Sequence, residues 1–146
     1  MVMESQTLFS AENRVAPLGI ISLAGAQELS RKVEAHLVRW AKLAGLDYDT
    51  FLIESSCPRF SSGDGKGMIN STVRGYDLFF IVDVGNYSLT YNYFGQENRM
   101  SPDDHYQDLK RLIQAASGKA HRMNVVMPLL YGGRQHRRSY RESLDC

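Results

Sequence analysis

Cysteine is scarce: two in 146 residues, Cys57 and Cys146. Two cannot build the multi-bridge framework of a small secreted domain, and neither has a second ligand at a zinc-like spacing. The four histidines, His36, His105, His121 and His136, are equally dispersed, so no metal site is indicated. Long apolar runs are also missing, and nothing approaches the roughly 20 residues of a membrane span. Residues 1–15 lack the basic start and apolar middle of a secretory leader. Without a leader, the sequons Asn70-Ser71-Thr72 and Asn86-Tyr87-Ser88 read as chance matches. The expectation is a cytoplasmic protein with no membrane partner. An excess of charge of one sign is lacking too. Seventeen basic residues balance sixteen acidic ones, for a net charge of +1, which argues against a polyanionic partner such as nucleic acid.

What is present is ordinary globular material: 43% hydrophobic, 10% aromatic and 23% charged residues, at a length suited to one core. "LGIISLAG" (Leu18–Gly25) reads as a strand, and an amphipathic helix follows from Ala26 to Leu43. Its stripe is Leu29, Val33, Leu37, Trp40 and Ala41, and Gly45 closes it. Thr50–Phe60 reads as a second strand, Ser61–Gly67 as a turn, and Asp77–Val84 as a strand apolar enough to be covered on both faces. Residues 86–100 read as a long polar and aromatic loop. Ser101-Pro102-Asp103-Asp104 is a helix start, with Leu109, Leu112, Ile113 and Ala116 as the buried stripe that follows. Asn124–Leu130 reads as a final strand stopped at Pro128, and Gly132-Gly133 opens a basic segment. Strands alternating with helices predict an α/β domain with a mostly parallel central sheet flanked by helices. Ligands in such sheets bind beyond the carboxyl ends of the strands.

Few segments carry a recognisable chemistry. "FSSGDGKG" (Phe60–Gly67) lacks the spacing of a P-loop or a dinucleotide fingerprint, and on composition is a hairpin turn. There is no G-x-S-x-G elbow and no local cysteine–histidine signature. Asp103 and Asp104 fit a helix start better than a catalytic pair. Tyr87, Tyr91, Tyr93 and Phe94 can stack on a base, although loop aromatics more often pack their loop down. "RQHRRSYR" offers guanidinium forks at Arg134, Arg137, Arg138 and Arg141. Such forks suit bidentate phosphate recognition, though a run of this kind is as readily a solvated tail. Its place after a strand and a Gly-Gly pair puts it at the ligand-binding edge of the sheet.

Taken in order, these segments resemble the N-terminal domain of ribose-phosphate pyrophosphokinase. That family has a Phe-x-Asp-Gly-Glu loop followed at a fixed distance by Val-Arg-Gly and an apolar strand. "FSSGDGKGMINSTVRGYDLFFIV" keeps that distance, with Phe60, Gly63, Asp64 and Val73-Arg74-Gly75 in place. "PDDHYQDLKRLIQAA" resembles the family's Asp-rich helix start. "MPLLYGGRQHRRSYRES" resembles its proline-terminated strand, its Arg-Gln-Asp-Arg-Lys segment and the later Arg-Glu, from Pro128 through Arg134-Gln135 to Arg141-Glu142. The resemblance runs from about Phe51 to the last residue.

It implies a Rossmann-like, phosphoribosyltransferase-type fold. It also implies transfer of the diphosphoryl group of Mg-ATP to the 1-hydroxyl of ribose 5-phosphate, giving phosphoribosyl pyrophosphate and AMP. By the resemblance Phe60 and Asp64 hold the adenine from a neighbouring subunit, and Arg134 and Gln135, with Arg137 and Arg138 nearby, reach the nucleotide from the other side. A homo-oligomer follows from that sharing. The family's ribose-phosphate loop and its Mg2+ ligands lie in a second domain that this chain does not show. No catalytic and no metal-binding residue is therefore expected here, and the chain alone is expected to be inactive. The layout expected is an N-terminal extension over 1–15, the α/β domain over 16–131, and a mobile basic segment over 132–146, cut before the second domain. Departures from the family's pattern are Ser62 and Asp64 in the adenine loop, His136 for an aspartate, and Leu129-Leu130 for an aromatic pair. They leave open a non-catalytic regulatory relative, an α/β nucleic-acid-binding module, or a plain domain with a disordered tail.

Overall fold

The computed structural model describes Phe9 and residues 15–144, so most of the expected N-terminal extension, and Cys146, lie outside the described residues. Strand β1 (Leu18–Ser22) leads through a 3-10 turn (Ala24–Ala26) into helix α1 (Gln27–Leu43). Two short strands, β2 (Ser55–Ser56) and β3 (Met68–Ile69), precede β4 (Asp77–Ile81). Strands β5 (Thr90–Tyr93) and β6 (Gln96–Arg99) then lead to helix α2 (Pro102–Ala116) and β7 (Arg122–Val126).

The central sheet has the order β1-β4-β7, all parallel, with Leu18 opposite Asp77 and Asp77 opposite Arg122. Parallel register puts paired side chains on the same face, so the apolar run of β4 divides its burial between two cores. On one face Leu78, Phe80 and Val82 pack with Ile21, Leu109, Leu112 and Ala116 of α2. On the other, Ile81 packs with Ile20, Ala26, Ala41 and Phe51 beneath α1. These two layers of helix on a mostly parallel sheet are the fold the strand–helix alternation predicts.

Helix α2 starts as the residue types require. Ser101 Oγ accepts from the Asp104 amide at 3.2 Å, and Asp104 accepts in return from the Ser101 amide at 2.8 Å, closing a capping box with Pro102 in the first turn. The stripe of α1 is offset from expectation. Leu29 is 37% exposed, whereas Ser30 is buried and donates its hydroxyl to the Ala26 carbonyl at 2.9 Å. A serine bonded to its own preceding turn needs no other partner, so it can face the core in place of an apolar residue.

Two stretches depart from the sequence reading. Thr50–Phe60 is not one strand. Phe51–Ile53 flanks β1, through Ile20 N–H to Phe51 O and Ile53 N–H to Ile20 O, both at 2.8 Å. The Glu34 carboxylate on α1 anchors that edge by accepting the Phe51 and Leu52 amides at 3.1 and 3.2 Å. Beyond Glu54 the chain leaves the sheet and pairs as β2 with β3, antiparallel. Residues 86–100 are not a loop throughout: β5 and β6 form a hairpin with Tyr93 opposite Gln96. Its period-2 pattern is hidden because both faces are polar or aromatic, as in a hairpin standing off the core.

Candidate functional site

The Phe60–Asp64 segment is the tip of the β2–β3 hairpin, as its turn chemistry predicts. Phe60 N–H donates to Asp64 O at 2.7 Å and Gly63 N–H to Phe60 O at 2.9 Å. Gly63 has φ +87°, which a side chain rarely tolerates, and the Tyr93 ring packs where its Cβ would stand. Phe60 is 58% exposed. The Asp64 carboxylate is exposed and accepts from Ser62 Oγ at 2.9 Å, so the serine that departs from the family's pattern engages the carboxylate directly.

Arg59, one residue before Phe60, fixes this tip to the domain. Its guanidinium donates to Asp108 of α2 at 3.0 Å and lies over the Tyr91 ring of β5, 5.1 Å from the centroid. Arg111 closes the other oxygen of Asp108 at 2.8 Å. Burial pushes the Asp108 carboxyl above its usual range, and Arg59 and Arg111 offset part of that. The sequence reading missed this arrangement. Its one available signal was an aspartate in the row Asp108–Leu112–Ala116 of α2, where a charge turned toward the core demands partners.

A cavity of about 370 Å³ opens beyond Ser22, at the carboxyl end of β1, between Ser55–Arg59 and Tyr91 and above His105. This is the sheet edge where ligands are expected, yet none of the six residues expected to bind nucleotide lines it. His105 is buried and its Nε2 lies 2.8 Å from the Asn86 carbonyl, so that nitrogen carries the proton and donates. Cys57, on the same wall, is pushed up to about 11, chiefly by burial and also by Asp108. It is therefore a thiol, not a nucleophilic thiolate, at neutral pH.

The arginines follow β7. Residues 131–134 turn, with Gly133 N–H donating to Leu130 O at 3.3 Å and Gln135 N–H to Gly132 O at 2.9 Å. Tyr131 lies against Tyr106 of α2 and donates its hydroxyl to Asp103 at 2.5 Å, which brings the segment back to the helix. Arg134, Arg137 and Arg138 are exposed and make no ion pair among the described residues. His136 takes the Arg134 carbonyl at 3.0 Å. Phe60 and Asp64 share no hydrogen bond or ion pair with these arginines. Each set is gathered within its own segment.

A model of the N-terminal domain of ribose phosphate pyrophosphokinase matches residues 18–146. The chain belongs to that family. The match begins at the first residue of β1, so it takes in β1 and α1, which the motif resemblance from Phe51 onward does not reach. No curated protein matches the chain. Full-length ribose phosphate pyrophosphokinases are transferases of nucleotide biosynthesis. The domain's fold, with its parallel sheet and two covering helices, is of the phosphoribosyltransferase type.

Among the described residues no three histidine, cysteine or carboxylate groups gather to hold an ion. Asp104 and Asp108, which lie beside Arg59, are already engaged by the helix cap and by Arg59 and Arg111. No described helix is long and apolar enough to cross a membrane.

Proposed function

We propose that the chain is the nucleotide-binding part of a ribose-phosphate diphosphokinase. The enzyme would transfer the diphosphoryl group of Mg-ATP to ribose 5-phosphate, giving phosphoribosyl pyrophosphate and AMP. The observation that carries this is an exposed aromatic and carboxylate tip, Phe60 and Asp64, together with exposed arginines that follow the last sheet strand and make no ion pair among the described residues. A phenyl face stacks on adenine, and Asp64 accepts from its exocyclic amine. Arg134, Arg137 and Arg138, with Gln135, neutralise the polyphosphate as charge shifts between its phosphoryl groups. In this reading the two sets are walls of one site that a second copy completes. A homo-oligomer is therefore part of the proposal. Magnesium enters with the nucleotide phosphates, and its protein ligands lie outside this domain. The acceptor sugar phosphate is likewise held elsewhere.

The test is AMP release from Mg-ATP by the protein expressed from its full reading frame, with and without ribose 5-phosphate. Release that depends on ribose 5-phosphate and falls about a hundredfold or more in Arg134→Ala is the expected result. Absence of ribose-dependent release from folded, oligomeric protein would sink the catalytic reading. It would favour a regulatory relative, in which Ser62 and His136 have altered the site.

A further inference from the structure

The β5–β6 hairpin lies outside the motifs that carry the nucleotide reading, and it holds the most unusual backbone among the described residues. Its two-residue turn is Phe94-Gly95, with φ of +46° and +83°. Those values define the turn preferred between twisted antiparallel strands, whose first position favours Asn, Asp or Gly. A phenylalanine there is strained, by about 1–2 kcal/mol in the left-handed region. Phe94 is nevertheless the non-glycine residue that occupies it, and its ring does not repay the strain by burial: it is 68% exposed. Strain retained under a solvent-facing aromatic side chain points to a use for the ring.

The turn docks onto the Phe60 loop. Phe94 N–H donates to Ser61 O at 2.9 Å, and Tyr93 packs against Gly63. Tyr93 and Phe94 meet edge to face, with centroids 4.9 Å apart, and Tyr93 is itself 45% exposed. Phe60 contacts no other ring among the described residues. Two exposed rings, Phe60 and Phe94, thus flank one inter-hairpin hydrogen bond without stacking on each other. Tyr93 backs one of them, and the Asp64 carboxylate lies close by in sequence and turn.

We propose that the β5–β6 hairpin is a second wall of the nucleobase site, with Phe94, supported by Tyr93, contacting the base that Phe60 stacks upon. The inference rests on the nucleotide reading above and adds to it a residue that governs base affinity and selectivity. A polar, amino-bearing purine suits the position, since aromatic faces supply stacking and Asp64 supplies an acceptor.

Phe94→Asn is the informative variant. It removes the ring while giving the turn the Asn-Gly sequence it prefers, so the hairpin folds at least as well. Equilibrium binding of Mg-ATP and of inorganic tripolyphosphate is measured on the full-reading-frame protein, with Phe94→Trp and Phe60→Ala alongside. The expected result is a loss of ATP affinity of about five- to a hundredfold in Phe94→Asn. Tripolyphosphate affinity should be unchanged, and Phe94→Trp should restore ATP binding. Unchanged ATP affinity in Phe94→Asn, with a loss in Phe60→Ala, overturns the inference and leaves the nucleotide reading standing. Failure of the wild-type protein to bind ATP at all overturns both.

Discussion

Asp77 opens β4, the central strand, and its carboxylate gathers three donors from β7. Arg122 Nε donates at 2.8 Å, Arg122 Nη2 at 2.5 Å and Asn124 Nδ2 at 2.8 Å. The hydrogen bonds from Arg122 hold the carboxyl below its usual range, with Asn124 adding to the effect and burial opposing it. A pKa lower in the folded state than in the unfolded chain means the contribution to stability is present above about pH 4, the unfolded value. It is lost as pH falls through the folded value. Since Arg122 is half exposed, the contribution is about 1 kcal/mol. Asp77→Asn is therefore expected to lower stability by that amount at pH 7, and the gap to wild type should close below pH 4, as read by urea midpoints across pH. At this scale the sequence was legible where residue type alone carries the meaning: Ser101 and Asp104 at a helix start, Gly63 in a turn. It was not legible where two distant charges meet. Asp77 with Arg122 and Arg59 with Asp108 depend on register and on how a hairpin lies across a helix, neither of which a local pattern encodes.

Elements repeat the contrast. Strand β4, apolar on both faces, and α2, with its cap and stripe, could be read directly because burial imposes their periods. Thr50–Phe60 could not. Its first residues join the sheet edge and its last join a hairpin, and only the turn at Ser61–Gly67 marks the change of partner. The β5–β6 hairpin was hidden because neither of its faces is uniformly apolar. The β2–β3 hairpin owes its position to close contact with α2 as well as to Arg59. A Cβ on Gly67 would lie 2.6 Å from the Arg111 backbone carbon and oxygen. Neither can move without deforming the helix. Gly67→Ala is expected to destabilise the domain by about 1–3 kcal/mol, seen as a lower denaturant midpoint with an unchanged slope.

In the whole molecule, the sheet places the arginines after β7 at its carboxyl edge, while the paired hairpins carry Phe60, Asp64 and Phe94 at their tips. The family resemblance was legible because its loop, strand and basic segment keep their order and spacing. How the two hairpins lie together was not, because the Phe94–Ser61 and Arg59–Asp108 contacts join segments far apart in the chain. On the proposed function these two walls come from different copies and form one transfer site. The most direct measurement mixes Phe60→Ala and Arg134→Ala proteins, dissociates and reassembles them, and follows ribose 5-phosphate-dependent AMP release. Each variant alone should be inactive, and the mixed assembly should regain a fraction of wild-type activity, since one interface in a mixed pair joins two intact walls. No recovery on mixing, with subunit exchange verified, or full activity in either variant alone, would contradict the account.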